Sequence, residues 1–310
     1  MSEQPIPDCL GPRPVTARPA WHVPHGSWDT HFHALGPQLR FPYGAKRKYT
    51  PPDAPVEQCL RLHEALGFAR GWVVHANTHG FDNAVDLDAV ARSDGRYVAV
   101  VRLDASASPA SCAELHARGA RGVRFAFNPQ HGGELDHRKS ELDNRSAELD
   151  LTVFNHVVRC IAPLGWFVEL HFDGADIARL QEWLEAIPVQ VVIDHLGRVD
   201  PAGGVAQEPF QILLALLARG NFWIKLSGAD RISRQGAPYA DVAPLAQALV
   251  SARPDRLLWG TDWPHTGYFD AARVPEDTAL VDALATFVPE APEREAILVH
   301  NPLRLLALAA

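Results

Sequence analysis

The chain has 310 residues, 47% of them hydrophobic and 21% charged, which excludes a disordered or fibrous polypeptide and leaves ample length for a large core. Its 37 acidic against 29 basic residues give a formal charge of -8, which argues against a nucleic-acid surface and means that any anionic ligand must be met by local arginines. Cys9, Cys59, Cys112 and Cys160 form no Cys-x-x-Cys pair, so neither a zinc knuckle nor a disulfide framework is indicated and a reducing cytoplasm is the expected compartment.

Residues 1–26 are proline-rich and polar, with no apolar periodicity and no signal-peptide core. They read as an irregular N-terminal arm ahead of one domain over 27–310. No apolar run approaches membrane-spanning length. Beyond the arm, short β-branched or aromatic runs alternate with amphipathic helical stretches. Strands are predicted at 27–35, 71–77, 97–104, 122–127, 166–172, 189–196, 221–227 and 256–263. Helices are predicted at 56–70, 83–93, 109–118, 149–162 and 174–186, with more after the eighth run. The polar insert 128–146 is too long for an ordinary connection, and such inserts are often functional. Eight strand-helix units predict a single parallel (β/α)8 barrel. An open doubly wound sheet would carry a glycine-rich phosphate loop after its first strand, where this chain has Asp29-Thr30-His31-Phe32-His33.

In such barrels the reactive side chains stand at the C-terminal strand ends. Strand alternation points His31 and His33 the same way. The second run ends in Asn77, the fourth carries Arg124, the fifth ends in His171 and the sixth in Asp194-His195. Arg231 follows the seventh run, and the eighth ends in Thr261-Asp262-Trp263-Pro264-His265. His31, His33, His171 and Asp262 give three nitrogens and one oxygen, a set that suits zinc with a further position for water. Asp262 is then placed to take a proton from that water and return it to a leaving group, with His195 polarising the carbonyl under attack. Arg124 and Arg231 are candidates to clamp two anionic groups, and Tyr49 and Asn77 are weaker candidates for hydrogen bonds to a substrate. Taken singly, His75, His265 and His300 read as structural. Asp29 and Asp194 precede the histidines and are expected to face away from the mouth, while Trp28, Trp259 and Trp263 are expected to pack and dry the site.

The run Asp29-Thr30-His31-Phe32-His33, together with His171, Ile193-Asp194-His195-Leu196-Gly197-Arg198 and Gly260-Thr261-Asp262-Trp263-Pro264-His265, resembles the amidohydrolase superfamily. Lys48-Tyr49, Leu66-Gly67-Phe68-Ala69-Arg70 and Gly122-Val123-Arg124-Phe125 extend the resemblance to its amidohydrolase-related lactonases. That resemblance implies a distorted barrel that hydrolyses a small anionic lactone, here 4-sulfomuconolactone to maleylacetate plus sulfite in sulfoaromatic breakdown. It assigns Asp262 as base and His31, His33 and His195 as carbonyl-polarising or metal-binding groups. His171 stands where metal-independent members carry a tyrosine, which favours a zinc enzyme, and Asn128-Pro129-Gln130-His131 replaces a loop with an additional arginine, which weighs against recognition of the same dicarboxylate. Other readings are metal-independent hydrolysis of a pyrone dicarboxylate and isomerisation of a sugar lactone. Two more are decarboxylation, which His31 weighs against, and non-catalytic binding.

Overall fold

A computed structural model describes residues 5–127, 135–136, 141–142 and 149–307 of the chain. The barrel strands are β1 (Trp28–Phe32), β2 (Arg70–Val74), β3 (Tyr97–Val101), β4 (Ala120–Ala126), β5 (Phe167–His171), β6 (Val191–Ile193), β7 (Phe222–Lys225) and β8 (Leu257–Leu258). They pair in chain order, all parallel. The last seam is made beyond β8, where Thr30 N donates to Trp259 O at 3.0 Å, Asp262 N to His31 O at 2.8 Å and His33 N to Trp263 O at 2.8 Å. These bonds bring the two ends of the sheet together, so the predicted barrel is what the chain forms.

Each strand is followed by a helix whose apolar stripe faces the sheet. In α1 (Val56–Leu66) the buried positions Val56, Cys59, Leu62, His63 and Leu66 recur at helical spacing, and Gly67, at φ 92°, supplies the left-handed residue that ends it. The helices α2 (Ala84–Arg92), α3 (Pro109–Ala117), α4 (Leu151–Ile161) and α5 (Ile177–Glu185) match predicted stretches. After β6 comes α6 (Glu208–Ala218); after β7 come the short α7 (Ala229–Ile232) and α8 (Ala243–Ala252); after β8 comes α9 (Asp277–Phe287). Among the described residues no helix is long and apolar enough to cross a membrane.

The barrel interior is layered by the two-residue period of the strands. Below the mouth, Trp28, Trp72, Val74, Val100, Phe167, Val192, Trp223 and Leu258 pack into one apolar cluster. Two residues further along their strands, Phe167 gives way to Glu169, Val192 to Asp194 and Trp223 to Lys225, so a charged layer sits directly on the apolar one. On β1 the step is three residues, from Trp28 to His31. A bulge between Asp29 and Phe32 absorbs the extra residue and returns His31 and His33 to the interior.

The N-terminal segment 5–27 has no helix or strand beyond an isolated bridge between Asp8 and Thr50. It is tied to loops on the mouth side, with Cys9 N donating to Thr50 O at 2.9 Å and Leu10 N to Tyr268 O at 2.8 Å. The insert expected to be functional, 128–146, lies outside the described residues apart from a two-residue antiparallel ladder, Leu135–Asp136 with Glu141–Leu142.

Candidate active site

Asp262 is the point on which the mouth converges. Its Oδ1 lies 3.5 Å from His31 Nε2, 3.4 Å from His33 Nε2 and 3.8 Å from His195 Nε2. Its Oδ2 accepts from Arg231 Nε at 3.0 Å. The chain reaches this arrangement through backbone that only close packing sustains: Asp262 has φ 62° and His195 φ 53°, with Leu196 at φ 52° beside it. Gly260 allows the seam to close, because a Cβ there would stand 2.4 Å from His31 N. Gly228 does the same for His195, whose Cβ would be 2.6 Å from any Cβ added at that glycine.

The anchors of these groups explain their orientation. Asp29 faces outward as expected, accepting from His31 N and Thr261 N at 3.0 Å each and from Thr261 Oγ1 at 2.6 Å. His63 Nε2 lies 3.1 Å from the other face of the same carboxylate, and Tyr97 Oη lies 2.7 Å from His63 Nδ1. His33 Nδ1 donates to Val74 O at 2.7 Å, which leaves Nε2 as a lone pair facing a carboxylate oxygen. Two acceptors 3.4 Å apart call for a proton, a water or a cation between them.

Asp194 does not face away. Val192 is an interior residue, so Asp194 two positions later is interior as well, and it is the left-handed turn at His195 that swings the imidazole back to the mouth. Asp194 Oδ1 is 3.2 Å from His31 Nδ1 and 3.3 Å from Lys225 Nζ, and Oδ2 accepts from Arg124 Nη2 at 3.1 Å. Lys225 also pairs with Glu169 Oε2. Neither Lys225 nor Glu169 was expected; both are wholly buried, and the signal for each is a charged residue inside an otherwise apolar strand.

The charge states follow from this packing. Burial and Lys225 hold His31 well below the ordinary histidine range, and burial pushes His195 down to about 4, so both rings are neutral. Burial alone would raise Asp262, but the Arg231 guanidinium on Oδ2 above all holds it well below the usual carboxylate range. Burial and the neighbouring Asp194 push Glu169 up to about 8. Burial would raise Asp194 too, yet the charged Lys225 and Arg124 beside it outweigh this and hold its carboxyl low.

Other expected residues fall as follows. Arg124 spends its donors on Asp194, on His75 O at 3.2 Å and on His171 Nδ1 at 2.9 Å, which makes it a brace for the site more than an open clamp. His171 stands with its ring centroid 5.1 Å from that of His195. Arg231 and Tyr49 meet at Thr266: Arg231 Nη1 donates to Thr266 O at 3.1 Å and Tyr49 Oη to Thr266 Oγ1 at 2.8 Å. Asn77 opens the 3-10 turn Asn77–His79 after β2 and is half-buried. His75 is held by Asp86 at 2.7 Å and His265 by Asp277 at 3.0 Å, both structural as expected. Trp28 lies beneath the site, whereas Trp259 faces the helices, stacked on Phe68 at 5.5 Å, and so does not line the mouth.

A metal fits part of the expected ligand set. Ligand atoms of His31, His33 and Asp262 all lie within 4.8 Å of one another, and so do those of His31, Asp194 and His195. His31 Nε2 is buried without a hydrogen-bond partner among the described residues, and the facing lone pairs of His33 and Asp262 suit a cation. His171 is not in either grouping; its Nδ1 accepts from Arg124, which has no lone pair to offer, so a neutral His171 carries its proton on Nε2.

A family model described as amidohydrolase matches residues 28–308. The chain is 47% identical to a 4-sulfomuconolactone hydrolase of Hydrogenophaga intermedia, over 100% of this chain and 99% of that protein. It is 46% identical to one of Rhizobium radiobacter, over 98% and 97%. An apo crystal structure of an Agrobacterium tumefaciens protein superposes with a TM-score of 0.82 at 29% identity, covering 95% of this chain and 98% of that one.

Proposed function

This chain belongs to the amidohydrolase family, and from that premise we propose that it is a lactone hydrolase acting on 4-sulfomuconolactone, with maleylacetate and sulfite as products. The observation that carries this reading is the convergence of three imidazole Nε2 atoms on Asp262 Oδ1, at 3.4–3.8 Å, with Arg231 on the opposite oxygen. That is the equipment for activating water beside a polarised ester carbonyl.

Asp262, held as a carboxylate by Arg231, accepts a proton as water adds to the lactone carbonyl carbon. The neutral His195 polarises the carbonyl oxygen, and Arg231, with Tyr49 beside it at Thr266, receives an acidic substituent. Arg124 and Asn77 complete the substrate contacts at the neighbouring strand ends, with Arg124 acting chiefly through its hold on Asp194 and His171. As the acyl C–O bond breaks, Asp262 returns its proton to the ring oxygen. The carbon left with both a hydroxyl and a sulfonate then forms a C=O bond as the hydroxyl proton passes to water and the C–S electron pair leaves with sulfite.

His31, His33 and Asp262 would hold a zinc ion, with His171 the further residue of the expected set. When bound, zinc supplies a Lewis acid that lowers the pKa of water toward neutrality. A cytoplasmic setting accords with four unpaired, buried cysteines. Incubating the purified protein with 4-sulfomuconolactone tests the reading: sulfite and maleylacetate should appear in equal amounts, and an unchanged lactone would defeat it.

A further inference from the structure

Lys225 is fully buried at the floor of the site, and no step above uses it. Its Nζ lies 2.9 Å from His31 Nδ1 and 3.3 Å from Asp194 Oδ1, and it pairs with Glu169 Oε2. An ammonium has three hydrogens and no lone pair. It is hydrogen-bonded to Glu169 Oε2 and to His31 Nδ1, so Nδ1 must be the acceptor of that second bond. A neutral imidazole that accepts at Nδ1 carries its proton on Nε2, and Nε2 is the atom that faces Asp262 Oδ1 at 3.5 Å. Arg124 imposes the same tautomer on His171 by the same logic, while His33, which donates from Nδ1 to Val74 O, has the opposite one.

We propose that Lys225 is a positioning residue that fixes His31 in its Nε2–H tautomer, so that His31 offers a proton at the mouth and must give it up before it can ligate a cation. The alternative partner is already in place. Asp194 Oδ1 lies 3.2 Å from the same Nδ1 and would accept its proton in the ligating form, as carboxylates commonly do behind metal-bound histidines. Lys225 and Asp194 therefore compete for one nitrogen, and a metal entering between His31, His33 and Asp262 has to displace the lysine's hydrogen bond. Its role for His31 in lactone opening rests on the function proposed above; the tautomer itself does not.

Long-range 1H–15N correlation spectra of the full-length protein, labelled with [15N]histidine and stripped by chelator, read the tautomer directly, with His31→Gln identifying the resonances. His31 should show a protonated Nε2 and a bare Nδ1. In Lys225→Met/Glu169→Gln, which removes the buried pair together and strands no carboxylate at that position, the proton should move to Nδ1. The same double variant should bind zinc about tenfold more tightly in competition with a chromophoric chelator, on the scale by which groups behind a ligand tune affinity, whereas a merely structural loss would weaken binding. A wild-type His31 protonated at Nδ1, or a double variant that binds zinc no more tightly than its parent, overturns the proposal. An Nε2–H signal in a protein that hydrolyses no lactone would sink the functional reading and leave this one standing.

Discussion

Replacing Asp262 with asparagine isolates the base from the scaffold. The side chain is buried, with Arg231 Nε 3.0 Å from Oδ2 and the imidazoles grouped around Oδ1. The amide fits in one orientation only. Its oxygen must face the Arg231 donor, so its NH2 faces the imidazoles, where the His33 Nε2 lone pair accepts it. Arg231 keeps its bond to Thr266 O, so the fold should survive with little change in thermal midpoint. What is lost is the proton acceptor and a carboxylate that would hold zinc, so the fall should be no smaller than the about 10^2–10^4-fold that a positioned general base is worth. At about 1.36 kcal/mol per decade that is about 3–5 kcal/mol of transition-state stabilisation, read as a fall in kcat with zinc supplied in excess. Following ring opening by absorbance at saturating lactone measures it. An Asp262→Asn enzyme within threefold of the parental kcat would remove Asp262 from the mechanism.

Three further outcomes follow from the geometry. Gly260→Ala places a methyl 2.4 Å from His31 N, so it should open the β8–β1 seam and cost about 1–3 kcal/mol in a urea melt, and an unchanged midpoint would show that the seam yields freely. Burial holds His79 below its ordinary 6.5, so the unfolded chain takes up this proton first as pH falls. Its contribution to stability is therefore intact above that value and lost as pH drops through the lowered folded value; His79→Gln should lose less stability than the parent between neutral and mildly acidic pH, and parallel curves would exclude it. Metal analysis of the protein as isolated should find zinc, and a chelator should slow lactone hydrolysis until zinc is restored; full activity in a metal-free preparation would move His31 and His33 to a metal-independent role.

The barrel was legible because each strand is a compact apolar run and the reactive residues fall at strand ends. His31, His33, His195 and Asp262 could be brought together on that ground, although the route differs in detail. Alternation from Trp28 would put His31 outside the barrel, and the bulge between Asp29 and Phe32 corrects it. Asp194 was placed wrongly because alternation was counted from His195, a residue that has left the strand for a left-handed turn. Lys225 and Glu169 lie one layer below the mouth, where a list of strand ends does not reach. Helix α6 escaped notice because Ile212, Leu213, Leu214, Leu216 and Leu217 leave it little polar face from which to read a period. Arg124 shows a different limit: its position at a strand end is plain from sequence, but its commitment to Asp194 and His171 depends on neighbours far along the chain.

The most direct test of the central claim is a side-by-side measurement of kcat/KM for 4-sulfomuconolactone and 2-pyrone-4,6-dicarboxylate with the zinc-supplemented enzyme. The account predicts efficient turnover of the sulfolactone with stoichiometric sulfite, and at least about tenfold weaker turnover of the pyrone, a discrimination of about 1.4 kcal/mol. Preference for the pyrone, or turnover of neither, would contradict it.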